Sequence, residues 1–125
     1  MLVFPRLVQD GKVPNVDFLH LYGPGSLEVL ALWYRVFGYT LEAERAFGLL
    51  QNLGIIVALY VLARPWGRSA AVLSGVIASL LTMTPIGLAA LAWHGAVALA
   101  LWSCVFAIRS RHTESWRTWA IAGLL

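Results

Sequence analysis

The sequence predicts an all-α fold, a multi-pass bundle of transmembrane helices, and three observations carry that prediction. Of the 125 residues, 60% are hydrophobic and only 12% are charged. A soluble domain, whose surface must stay wetted, carries roughly 25% charged residues. Between Arg68 and Arg109, forty consecutive residues contain no Asp, Glu, Lys or Arg. A spanning helix needs about 20 apolar residues, so this gap holds two spans and a tight turn. The acids are also segregated: Asp10, Asp17, Glu28, Glu42 and Glu44 precede Arg45, and only Glu114 follows it.

The elements follow in order. Gly11, Pro14, Gly23, Pro24 and Gly25 punctuate residues 1–25, which read as irregular or short-element structure. Ser26 to Phe37 reads as a helix with Ser26 as N-cap, Glu28 in the first turn and Gly38 as its stop. Twelve residues give roughly 18 Å of helix, short of a hydrocarbon core of about 30 Å. This helix is therefore expected to lie in the interface or pack on its neighbours. Full spans are expected at about 46–63, 69–83 and 86–108, with Thr84-Pro85 turning the chain between the last two. Trp116-Arg-Thr-Trp119 has the dressing of a helix entry, and residues 117–125 read as the start of a fourth span. The expected fold is thus about three full spans plus a partial fourth. Residues 1–44 form an extracytoplasmic loop with a short interfacial helix, and residues 45–125 form the transmembrane region.

Orientation follows from arginine placement. Arg64 and Arg68 share one loop; Arg109, Arg111 and Arg117 lie two spans later, hence on the same side. The positive-inside rule makes that side cytoplasmic and puts the acidic N-terminal segment outside. Gln51 and Asn52, inside the first span, are expected to face neighbouring helices and bond across them. Small residues recur through the later spans (Ala71, Gly75 and Ala78, then Gly95 and Ala96) and allow close helix approach. Cys104 is the single cysteine, which excludes an internal disulfide, and it reads as a small buried thiol.

Several function classes lack their signatures. A net charge of +3, scattered along the chain, does not suggest nucleic acid. His20, His94 and His112 are dispersed, without metal-ligand spacing, and no P-loop, GxGxxG or Gly-x-Ser-x-Gly is present. His94, inside a span, reads either as a functional group or as a neutral imidazole bonded to a neighbouring helix. Chemistry concentrates instead in the turn-rich segment from Gly11 to Ser26, which holds Asp17, His20 and Tyr22. A carboxylate there could act as general base or bind a divalent cation. On residue types alone, Asp17 and Asn15 read as turn caps and the aromatics as interfacial anchors.

Gly11-Lys-Val-Pro-Asn-Val-Asp-Phe18, then Tyr22-Gly-Pro-Gly-Ser-Leu27, Tyr34-Arg-Val-Phe-Gly38 and Glu44-Arg45, together resemble the multi-pass glycosyltransferases of the GT-C class. The similarity is to the bacterial branch related to protein mannosyltransferases and the aminoarabinose transferase. The resemblance covers nearly the whole chain through short motifs. It implies transfer of a sugar from a polyprenyl-phosphate donor to an acceptor on the outer face, with the first outer loop forming part of the site. Asp17 matches the family's Asp-Phe residue and would be catalytic; Arg45 matches its helix-head arginine and, with His20 and Tyr22, would bind substrate. The family carries a transmembrane helix and an acidic motif ahead of the Gly-x-x-Pro segment, and more spans afterwards. On that comparison the sequence reads as a fragment, inactive alone. The rival reading is a small non-enzymatic multi-pass protein acting as a packing or assembly partner. A transporter fragment fits less well, because the spans lack charge.

Overall fold

The computed structural model describes residues 3–19, 24–83, 92–113 and 116–124. These are helical almost throughout: α1 (Val3–Gln9), α2 (Pro24–Phe37), α3 (Leu41–Ala63), α4 (Arg68–Thr82), α5 (Ala92–Thr113) and α6 (Trp116–Leu124), with a 3-10 turn at Arg64–Trp66 between α3 and α4. The centre is α3. Along its length α4 and α5 pack against it, α6 packs on α5, α2 reaches its head, and α1 lies on α2.

Local chemistry sets the helix ends. In α1, Pro5 falls in the first turn, where its missing N–H leaves nothing unsatisfied that would otherwise be paired. The next helix starts at Pro24, two residues before the expected Ser26 cap. Proline suits a first helical position because its φ is already helical. Ser26 is therefore inside the helix, and Glu28 lies beyond its first turn. Gly38, at φ +84°, ends α2 as expected.

The long helix starts five residues earlier than the expected residue 46, because Thr40 caps it. Thr40 has extended backbone, and its Oγ1 accepts from the Ala43 N–H at 3.1 Å. Such a cap satisfies an orphan donor of the first turn. Glu42, Glu44 and Arg45, expected ahead of the span, are thus built into α3. At its far end the 3-10 turn carries Pro65, and Gly67 at φ +106° turns the chain into α4. Only glycine reaches that backbone conformation without strain.

Among the described residues one helix is long and apolar enough to cross a membrane, the 26-residue stretch Leu41–Trp66. The expected span at 69–83 is a 15-residue helix, about 22 Å long and short of a core of about 30 Å. The expected span at 86–108 begins in a stretch outside the described residues, as does the Thr84-Pro85 turn; its helix is seen from Ala92 to Thr113. A final helix at Trp116–Leu124 occupies the place expected for the start of another.

Small residues line the contacts. Ala58, Ala71, Ala78 and Ala98 are buried where α4 and α5 meet α3. A Cβ on Gly54 would lie 3.5 Å from the Ala98 Cβ, and the Trp102 indole donates to the Gly54 carbonyl at 3.2 Å. Asn52, fully buried, donates its amide to the Thr82 carbonyl of α4 at 3.3 Å. Cys104 is exposed, contrary to the expected buried thiol. The buried residues of α5 include His94, Ala98 and Val105, at helical spacing on one face, and Cys104 falls off that face.

Candidate functional site

The segment after α1 folds into an ordered loop. Asn15 adopts φ +64°, a left-handed conformation that asparagine tolerates better than most residues. The Asn15 N–H donates to the Phe18 carbonyl at 2.8 Å, and the Asp17 N–H to the Val13 carbonyl at 2.9 Å. One carboxylate oxygen of Asp17, Oδ2, accepts the Val13 N–H at 2.8 Å. Phe18 stacks on Phe4 at 5.7 Å between centroids, which ties the loop to α1. In turn Gln9 donates to the Ala31 carbonyl at 2.6 Å, which ties α1 to α2.

Asp17 is exposed and its Oδ2 serves as a turn acceptor; among the described residues no donor meets its other oxygen. His20 and Tyr22 lie outside the described residues. Arg45 is exposed on α3, and among the described residues no hydrogen bond or ion pair joins it to Asp17. Among the described residues no cluster of cation ligands forms: no group of three acidic, His or Cys side chains gathers. A divalent cation takes six or more oxygen ligands, and one Asp17 oxygen is committed to the backbone.

The structure brings together a pair that the sequence reading passed over. Tyr34 is 1% exposed and Glu44 is 5% exposed, side by side where α2 meets the head of α3. Burial raises the Tyr34 phenol above its ordinary ionisation range, and the neighbouring Glu44 carboxylate raises it further. The hydroxyl lies near that carboxylate without a well-formed hydrogen bond. Glu44 sits in the first turn of α3, where the positive end of the helix dipole favours an anion. Around the pair, Trp33 donates its indole N–H to the Ala43 carbonyl at 2.9 Å and packs 5.4 Å from the Phe47 ring, and Tyr39 lies 5.0 Å from Tyr34. A signal for this junction was present in Gly38 and Thr40. A helix stop followed two residues later by an N-cap folds two helices back on each other and sets residue 34 opposite residues 43 and 44.

A second polar patch lies deeper. His94 is 2% exposed on α5, its ring 3.8 Å from the Trp93 ring, and among the described residues its Nδ1 has no hydrogen-bond partner. On α3, Gln51 rests against Gly95, where a Cβ would come within 2.8 Å of the Gln51 amide nitrogen. The patch contributes packing and polarity and assembles no reactive pair with Asp17.

No protein-family model matches the chain, and no curated protein and no solved structure matches it.

Proposed function

We propose that this chain is a membrane-embedded segment of a GT-C-like glycosyltransferase, and that its Gly11–Phe18 loop helps hold the sugar of a polyprenyl-phosphate donor at the outer face. The observation that carries the reading is the loop itself. The residues that resemble the family motif fold into one hydrogen-bonded turn that keeps the Asp17 carboxylate exposed, with one oxygen unbonded among the described residues and able to accept from a sugar hydroxyl. The membrane part rests on the 26-residue Leu41–Trp66 helix and on α5, whose 22 residues reach about 33 Å. The exposed apolar side chains of α4 and α5 support a bundle that crosses more than once. In this reading the positive-inside rule, applied to Arg64 and Arg68 at the far end of α3, supports an outer side for residues 1–44 in a bacterial plasma membrane.

In this reading the segment binds and positions the donor. The test is donor binding in nanodiscs, followed by native mass spectrometry with a polyprenyl-phosphate hexose. Asp17→Asn keeps an acceptor for the Val13 N–H and removes the charge. A lost charged hydrogen bond is worth about 1.5–3 kcal/mol, so binding should weaken roughly tenfold or more. Equal binding by Asp17→Asn, or none by the unaltered chain, contradicts the proposal. The second reading, a non-enzymatic packing partner, is favoured by the apolar side chains left exposed along α4. It predicts no donor binding and stable association with another membrane helix.

A further inference from the structure

The turn between α3 and α4 holds the features of a lipid-headgroup site. Arg64, Trp66 and Arg68 are all exposed, and Trp66 is 77% exposed. Arg64 donates to the Tyr60 hydroxyl at 3.1 Å and lies 5.8 Å from the centre of that ring. A guanidinium has five N–H donors, so four remain for another acceptor. Among the described residues neither arginine is paired with an acid.

Directly below this turn, α4 divides into two faces. Ala71 and Ala78 are buried against α3, and Gly75 meets Ile56 and Tyr60. The opposite side carries Val72, Leu73, Val76, Ile77, Leu80 and Leu81, each about half exposed or more, between 48% and 74%. They recur as adjacent pairs every four residues, which is one continuous helical face. From Val72 to Leu81 the stripe measures roughly 14 Å, close to half of a hydrocarbon core of about 30 Å. A cationic, aromatic head over an apolar stripe one leaflet deep has the proportions of a single phospholipid. An apolar protein helix in its place would leave the two arginines without a counter-charge.

We propose that the Arg64–Arg68 turn and the outward face of α4 form a binding surface for an anionic phospholipid of the cytoplasmic leaflet. The two guanidiniums take its phosphate, and α4 takes its acyl chains. This rests on the membrane reading, and its test separates the two.

The chain is inserted into nanodiscs of phosphatidylglycerol and phosphatidylcholine, released into detergent, and the retained lipid is weighed by native mass spectrometry. Phosphatidylglycerol should be retained over phosphatidylcholine. An arginine near an anionic headgroup is worth about 1 kcal/mol, so Arg64→Gln and Arg68→Gln should each lower that preference roughly fivefold. The double variant should lower it about thirtyfold, while Arg35→Gln on α2 leaves it unchanged. An undiminished preference in the double variant overturns the site but leaves the membrane reading standing. Displacement of the lipid by excess inorganic phosphate alone also overturns it, because the acyl contacts would then add nothing. Retention of a second copy or another protein in place of lipid has the same effect. A chain that enters neither nanodisc overturns both.

Discussion

Replacing Asn52 by alanine tests whether α3 and α4 are held in register by a buried polar contact. Asn52 has no exposed surface, and its side-chain amide donates to the Thr82 carbonyl at 3.3 Å across thirty positions of sequence. That distance is slightly beyond the usual 2.7–3.2 Å, so the bond is not a strong one. Hydrogen bonds between membrane helices average about 0.6 kcal/mol and reach about 1.7. Alanine also leaves space where the amide was, and buried truncation adds a cavity cost that grows with the space left behind. The two effects together come to about 1–2 kcal/mol, or roughly a fivefold to thirtyfold loss in the folded-to-unfolded ratio. Reversible unfolding in mixed micelles, titrated with a denaturing detergent and followed by tryptophan fluorescence, reads this directly. Asn52→Leu restores the volume without the bond and should lose only the smaller part. An Asn52→Ala chain as stable as the parent would refute the reasoning, since a filled and hydrogen-bonded site cannot be emptied at no cost.

Trp33→Phe removes the indole donor to the Ala43 carbonyl while keeping an aromatic ring. It should cost about 0.5–1.5 kcal/mol for the bond, with loss of near-UV dichroism from the α2–α3 junction; unchanged stability would mean that the junction does not hold α2 in place. The Tyr34 phenol stays protonated in the folded chain above the pH at which the unfolded chain ionises. Folded and unfolded chains bind the proton equally below about pH 10, so the contribution is full there. Above it the unfolded state alone loses the proton, and stability falls with rising pH. Denaturation followed from pH 8 to 11 should show that fall in the parent and less of it in Tyr34→Phe; parallel curves would remove Tyr34 as its source.

How much the sequence disclosed depends on how local each cause is. The Gly38 stop and the Pro65–Gly67 turn act through one or two residues' own dihedrals, so they were legible. The Asn52 contact was legible too, because a polar side chain within an apolar helix has few places to go. The early start of α3 is not marked by hydropathy, because the apolar run begins at residue 46 and the Thr40 cap adds a turn containing Glu42, Glu44 and Arg45 ahead of it. Burial of Glu44 depends on α2 folding back over it, a tertiary event that its neighbours in sequence do not encode. Cys104 was misplaced for a different reason. The helix α5 is apolar on every side, with Trp93, Val97, Leu99 and Ile108 exposed, so no periodicity marks the face that packs. Asp17 was singled out by a motif, and the structure shows its oxygen holding a turn, which residue types alone had suggested.

The most direct test of the membrane reading is the sidedness of the two ends of the long helix. With Cys104 replaced, so that each introduced cysteine is the sole thiol, single cysteines are introduced at Lys12 and at Pro65. Intact cells are then treated with an impermeant thiol reagent. The cysteine at position 12 should be labelled in intact cells, and the one at position 65 only after the membrane is opened. Labelling of both in intact cells, or the reverse pattern, would contradict an α3 that crosses the membrane with the Asp17 loop outside.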